Sequence, residues 1–457
     1  MKKFFYPSSI AVFGVADSPE NLAKNIVSNC REMGFKGEIF PVGRSRGLVD
    51  GQKIITETDA LPEGIDLAVI LVPAAYVADT LDICGRKEIS HAIISTAGFR
   101  EYSGKESRFE KDMLAVVKHH GIRLIGPNCI GVICTNSGLC TPFNPLRPKQ
   151  FKKGRISLVT QSGGLTIKAA HLYSEEHVGF SKIISIGNKL DLNEIDYLEY
   201  LMGDEDTEQI HLHLESIEDG RKLINVARNA GKPIVIFKSN VSVTSAEIAK
   251  SHTAALLNDD RIVTGAFRQA GIVRVKSIQD MTVCAKSLQL PPLFGDRLAV
   301  ISLSGGFSVI LGDACEEYGF ECPSLPRELL DKIESFRRGG VIRMANPMDF
   351  GDVHSIEGLA FAVEHCLKLD HIHGMVLAMF YDPEIAKLFG QGKDRIQEML
   401  DFLDVTMNAC KKPIALSFLS ERQYIEAYKK ISPFPVFNDP VESVQALRKN
   451  RNYWKAR

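Results

Sequence analysis

Residues 156–164 read Ile-Ser-Leu-Val-Thr-Gln-Ser-Gly-Gly, and a helical pattern runs on from Leu165 to about Glu175. An apolar, β-rich run that breaks at paired glycines and passes into a helix is one half-turn of a parallel α/β unit. The pattern recurs at 298–306, Leu-Ala-Val-Ile-Ser-Leu-Ser-Gly-Gly, and in shorter form at 9–14, Ser-Ile-Ala-Val-Phe-Gly. Each occurrence opens its own alternation of strand and helix signals. The first series has expected strands at 10–13, 39–42, 67–72, 91–95 and 122–125. The second has them at 156–160, 181–185, 210–214, 234–237 and 273–275, and the third at 298–302, 374–379, 414–418 and near Val436. Proline-rich or charged stretches at 142–153 and 290–295 precede the second and third series. Three α/β domains are therefore expected, at 1–146, 150–291 and 296–457.

The totals agree with such a chain. It has 457 residues, enough for about three cores, with 45% apolar and 24% charged residues and a formal net charge of −1. No basic field invites nucleic acid or a membrane surface. Pro7 and two serines interrupt the start MKKFFYPSS, so no signal peptide is expected. The longest apolar run, Leu67–Ala78, is too short to span a bilayer. Ten cysteines with no Cys-x-x-Cys pair imply reduced thiols and a cytoplasmic protein without a zinc ribbon.

Ligands of parallel sheets bind at the carboxyl ends of the strands, where glycine turns admit backbone amides. In the first domain that places Gly14, Ala16 and Ser18 at a turn leading into a helix, a setting for phosphate. The second strand ends in Gly43-Arg44-Ser45-Arg46, with no acidic residue for a ribose; two arginines there suit a phosphorylated ribose or a diphosphate, and equally a solvated basic loop. Cys129, in Gly126-Pro127-Asn128-Cys129, has no adjacent base and reads as packing. In the second domain the turn Gln161-Ser162-Gly163-Gly164 aims a helix dipole at an anion. The strand Ile210-His-Leu-His-Leu-Glu215 puts His211, His213 and Glu215 on one face, a possible zinc set. A parallel strand covered on both faces instead leaves only Glu215, at its carboxyl end, to reach a site.

The stretch Phe237–Asn258, FKSNVSVTSAEIAKSHTAALLN, leaves a strand and crosses a polar Ser/Thr/Asn segment. It reads as a functional surface loop, with a helical pattern resuming only near Asp259. It carries His252. A neutral imidazole can attack phosphorus near neutral pH, and a loop histidine can equally be a solvent-facing one.

Taken in order, these pieces resemble the nucleoside-diphosphate-forming acyl-CoA synthetases, the superfamily of succinyl-CoA synthetase and ADP-forming acetyl-CoA synthetase, in their α-type subunit. The likeness rests on Gly14, Gly34-Phe35-Lys36-Gly37, Asp66–Ile70 with Val72-Pro73, and Ala97-Gly98-Phe99-Arg100-Glu101. It continues through Gly126–Cys129, Gln161–Gly164, Leu214-Glu215-Ser216, Ser251-His252-Thr253, and Asn346-Pro347 with Asp349. The resemblance implies an N-terminal Rossmann-like CoA-binding domain followed by two flavodoxin-like domains. It implies a relay in which phosphate displaces CoA from an acyl-CoA and the phosphoryl group of the acyl phosphate passes to His252, then to ADP or GDP. Glu215 would orient the histidine and Gln161–Gly164 would hold phosphate. CoA would lie along Gly14, Ala16, Ser18, Arg44, Arg46, Pro73, Glu101 and Asn128, and no metal would be held by this chain. The nucleotide, with Mg²⁺, would belong to a separate ATP-grasp β subunit, since the sequence ends at Arg457 without room for that domain, and a hetero-oligomer is expected.

Ala16 replaces a small hydroxyl residue of the family, and Arg44 or Arg46 its lysine. Ala254 follows Ser-His-Thr in place of glycine, Leu256-Leu257 replace smaller residues, and Ser239-Asn240 replace Gly-Arg after the strand lysine. Lost glycines restrict a loop that must move. The rival reading is therefore a CoA- or acyl-CoA-binding regulatory module with a decayed relay.

Overall fold

The computed structural model describes residues 1–100, 107–146, 151–252, 259–337, 343–351, 353, 355–380 and 394–457; of the side chains at 246, 249–252 and 394 nothing is described. Every strand run expected from the sequence forms. The first sheet comprises β1 (Ser9–Phe13), β2 (Glu38–Val42), β5 (Leu67–Ile70), β6 (His91–Ile94) and β7 (Arg123–Ile125), all parallel, in the order β2-β1-β5-β6-β7. The missing numbers belong to a small hairpin, β3 (Leu48–Val49) and β4 (Gln52–Lys53).

The second sheet has a parallel core of β10 (Lys153–Thr160), β11 (Phe180–Ser185), β12 (Gln209–Leu214), β13 (Ile234–Lys238) and β14 (Val273–Val275). The third comprises β15 (Leu298–Ser302), β16 (Met348–Asp349), β17 (Gly374–Phe380), β18 (Ile414–Leu419) and β19 (Val436–Phe437). Counting only the parallel strands of each sheet, all three share one spatial order, second-first-third-fourth-fifth. In that doubly wound arrangement the chain reverses direction between the first and third strands. The loops leaving those two strands open a crevice at the carboxyl edge.

The core explains why these runs become strands. Leu67–Ile70, Phe180–Ser185 and Gln209–Leu214 are buried at every position, the mark of strands covered on both faces. Each fully buried aliphatic side chain contributes roughly 1.5–3 kcal/mol, so the covered faces dominate the stability of the sheets. Helices are bounded by local chemistry: in Leu22–Met33, Asn21 accepts the N–H of Lys24 at the start, and Gly34 closes the end at φ 87°.

The chain packs as two compact units, 1–281 and 282–457. Within the first unit one apolar cluster runs from Ile10 and Val12 through Ile26 and Leu139 to Val159, Ile184 and Leu212, so the first two sheets share a core. Residues 132–140, which sequence patterning left unassigned, supply β8 (Val132–Cys134) and β9 (Leu139–Cys140). They extend the second sheet antiparallel beyond β11. Asn29 of the first sheet's opening helix donates to Pro142 O and Asn144 O at 2.8 and 2.9 Å, fastening this crossing. The second unit builds its core around Val300, Ile301, Val376 and Leu416.

The polar stretch after β13 departs from expectation. Val243–His252 is a helix, not a loop, begun by Ser242, whose Oγ accepts the N–H of Ser245 at 3.1 Å. Val243 is 71% and Ile248 63% exposed. Apolar residues exposed at these positions leave no amphipathic period to read. Among the described residues no helix is long and apolar enough to cross a membrane.

Candidate active site

The crevice of the second sheet lies between the loops that leave β10 and β12. After β10 the chain turns through Gln161 and Ser162 into the helix Gly163–Glu175, whose N-terminus carries no side-chain cap. Among the described residues no side chain caps its first N–H groups, which have roughly half a positive charge behind them. A Cβ on Gly164 would meet nothing within 4 Å, so this helix start is open to a ligand.

Gln161 is 8% exposed and faces the other loop. Its Oε1 accepts the backbone N–H of Glu215 at 2.9 Å and of Ser216 at 3.0 Å, and its Nε2 donates to Ser216 Oγ at 3.2 Å. Its own backbone N–H is spent on His213 O at 3.0 Å. Gln161 therefore holds the Glu215–Ser216 loop, leaving the amides beyond it to face an anion. The carbonyls of that dipeptide are gripped as well. Lys238 Nζ donates to Glu215 O at 2.8 Å, and Lys189 Nζ, paired with Glu194 at 2.9 Å, donates to Ser216 O at 3.1 Å. All four backbone groups of residues 215 and 216 are fixed. His252 ends the helix Val243–His252; its imidazole, and residues 253–258 with Ala254, lie outside what is described.

His211 and His213 do not form a ligand set. His211 is wholly buried, with Nδ1 on the Tyr173 hydroxyl at 2.7 Å and Nε2 on Gln209 Oε1 at 3.1 Å. Burial lowers its pKa to about 3. His213 packs its ring on Phe237 with centroids 5.1 Å apart, and burial, helped by the Lys238 charge, lowers its pKa to about 4. Both imidazoles are neutral structural groups. Among the described residues no cluster of three His, Cys, Asp or Glu side chains could hold a metal.

The strand lysine, Lys238, and Asn240 entered the sequence reading only through the departure at Ser239-Asn240, without a role in the site. Lys238 is 4% exposed and Asn240 7% exposed; Asn240 sits at φ 57°, and neither polar atom of its amide has a partner among the described residues. Burial, reinforced by the Arg274 charge and opposed by Asp260 and Glu215, lowers the Lys238 pKa to about 8. A charged residue inside an apolar strand was the available signal.

The residues expected at the first sheet gather at its carboxyl edge. Gly14 holds φ +97°, and a Cβ there would stand 2.0 Å from Leu71 O, so only glycine lets this turn pass beside β5. Ser18 Oγ donates to Glu20 at 2.6 Å. Ala16, Pro73 and the exposed Arg44 and Arg46 follow the ends of β1, β5 and β2, and the Arg44 guanidinium lies 4.1 Å over the Tyr76 ring. Glu101 lies outside the described residues. Asn128 sits apart from the arginines, at φ 57°, donating to Asn188 Oδ1 at 3.2 Å. It faces the loop after β11, where a Cβ on Gly187 would stand 2.2 Å from Pro127 O. Cys129 is buried and its thiol pKa is pushed up to about 12 by burial, in keeping with packing.

Comparison with known proteins gives these features a setting. A model described as a CoA binding domain matches residues 8–135, and one described as a succinyl-CoA ligase like flavodoxin domain matches 153–288. The α subunit of acetate–CoA ligase (ADP-forming) I from Pyrococcus furiosus is 30% identical over 478 residues, covering 100% of this chain and 99% of that one. The chain belongs to the ADP-forming acetate–CoA ligase family.

Acetate–CoA ligase (ADP-forming) I from Archaeoglobus fulgidus is 30% identical over 451 residues, and this chain spans 63% of its length. The dinucleotide forming acetyl-coenzyme A synthetase 1 of Ca. Korarchaeum cryptofilum, solved in complex with phosphate and ADP, superposes with a TM-score of 0.87 at 26% identity, over 100% of this chain and 97% of that chain. Within this ligase-family chain, every residue expected at CoA falls in the matched CoA-binding segment. Gln161–Gly164, Glu215 and His252 fall in the matched ligase segment.

Proposed function

We propose that this chain is the α-type subunit of an ADP-forming acyl-CoA synthetase, interconverting acyl-CoA, phosphate and ADP with the carboxylic acid, CoA and ATP. Phosphate attacks the acyl-CoA carbonyl and expels CoA, giving an acyl phosphate. A neutral His252 nitrogen attacks its phosphorus, releasing the carboxylate, and the phosphoryl group then passes to ADP on an ATP-grasp β subunit in a hetero-oligomer. Mg²⁺ accompanies the nucleotide on that subunit.

One observation carries this reading: Glu215 is held by its own backbone, through Gln161 and Lys238, beside an uncapped helix N-terminus at Gly163 and Gly164. A carboxylate fixed there can accept the N–H of an imidazole and keep the opposite nitrogen unprotonated. The N–H groups of the helix start stabilise the phosphoryl oxygens. CoA lies at the carboxyl edge of the first sheet, along Gly14, Ala16, Ser18, Arg44, Arg46, Pro73, Glu101 and Asn128. The working divisions are a CoA-binding domain at 1–146, a ligase domain at 150–291 and a further flavodoxin-like domain at 296–457.

The test is phosphate labelling. With its partner subunit and either acyl-CoA plus phosphate or ATP plus Mg²⁺, the chain acquires one acid-labile, base-stable phosphate on His252. His252→Ala abolishes it while CoA binding persists. Undiminished turnover in His252→Ala refutes the relay, and an unlabelled wild type beside a proven partner supports the binding module instead.

A further inference from the structure

Lys238 is an ammonium group buried at the carboxyl end of β13, and among the described residues it has no carboxylate partner. Two of its three N–H donors go to carbonyls, Glu215 O at 2.8 Å and Ser239 O at 2.5 Å. The other buried lysines of the same sheet are neutralised: Lys182 pairs with Asp204 at 2.6 Å and Lys189 with Glu194 at 2.9 Å. Burying a charge without a counter-charge is costly, and a fold keeps one where an anion is to arrive. Two residues on, Asn240 buries an amide whose oxygen and nitrogen both lack partners among the described residues. A carboxamide can donate to a phosphoryl oxygen as readily as to water.

We infer that Lys238, with Asn240 beside it, forms a phosphoryl-oxygen anchor, its third N–H binding the anionic group handled at the Gly163–Gly164 helix start. This rests on the phosphoryl relay proposed above and adds to it a charged donor on the loop after β13. The anchor also couples charge to position, because the same ammonium holds the Glu215 carbonyl. The charged groups around it are Arg274 and Lys189, which oppose its protonation, and Asp260 and Glu215, which favour it.

The test is equilibrium binding of inorganic phosphate to the full chain by isothermal titration, with CoA affinity as the control for folding. Lys238→Met should weaken phosphate about tenfold or more, the weight of one charge-assisted hydrogen bond, and leave CoA affinity unchanged. Lys238→Arg, which stays charged, should hold phosphate at pH 9.5 relative to pH 7 better than the wild type does; the titration of phosphate itself is common to both. Equal phosphate affinity in wild type and Lys238→Met overturns the anchor alone. The same pH dependence in wild type and Lys238→Arg overturns it too, even if the methionine variant fails to fold. A wild type that binds no phosphate overturns the relay and this inference with it.

Discussion

Gln161→Leu tests the central feature of the site, because leucine keeps the bulk of the side chain and removes all its hydrogen bonding. The change strands the N–H groups of Glu215 and Ser216, bound at 2.9 and 3.0 Å, and takes the donor from Ser216 Oγ at 3.2 Å. Each lost bond costs about 1 kcal/mol net. Glu215 and Ser216 are only partly buried, so water recovers part of this and the total is about 1.5–3 kcal/mol. For a unit of 281 residues, with about 2 cal/mol/K of unfolding entropy per residue, that lowers the melting temperature by about 2.5–5 °C.

Gln161→Glu is the informative companion. A carboxylate still accepts both backbone N–H groups and can accept from Ser216 Oγ, so its stability should stay within about 1 kcal/mol of wild type. Its negative charge beside the helix start opposes an incoming phosphate, so phosphohistidine formation should fall while the melting temperature holds. Calorimetry of the full chain reads the first effect, and the initial labelling rate with ATP and the partner subunit reads the second. If the leucine variant melts with the wild type, or the glutamate variant falls as far as the leucine one, Gln161 does not hold the Glu215 loop in this way.

Acidification should destabilise the chain through its buried histidines. Unfolded histidines take a proton below about pH 6.5, whereas burial holds His211 to about 3 and His213 to about 4. The unfolded state binds more protons in that window, so stability falls as pH falls below 6.5, with a slope approaching about 1.4 kcal/mol per pH unit for each histidine. Urea midpoints at pH 7 and pH 5 should differ less in His211→Gln than in wild type; identical differences would contradict this. Arg44→Ala with Arg46→Ala should weaken CoA about tenfold to a hundredfold, the loss of one or two charge-assisted contacts, and salt should weaken the wild type. Unchanged binding by isothermal titration would take the arginines out of the CoA site.

The repeated motif of apolar run, glycine turn and helix was enough to locate every strand of three parallel sheets except the two-residue β16 (Met348–Asp349), because each unit is decided locally by periodicity and turn chemistry. The same local reading put Glu215 at a strand end and Gly163 and Gly164 at a helix start. It did not find β8 and β9: two- and three-residue strands carry no periodicity, and they exist only because β11 and the helix Leu22–Met33 offer them partners. Nor did it find the helix Val243–His252, whose described apolar side chains Val243 and Ile248 are exposed. Above all, it could not see that Gln161, Lys238 and Lys189 converge on the backbone of Glu215 and Ser216. Carbonyl and amide groups are the same at every position, so which of them a side chain meets is decided only when strands distant in sequence are brought edge to edge.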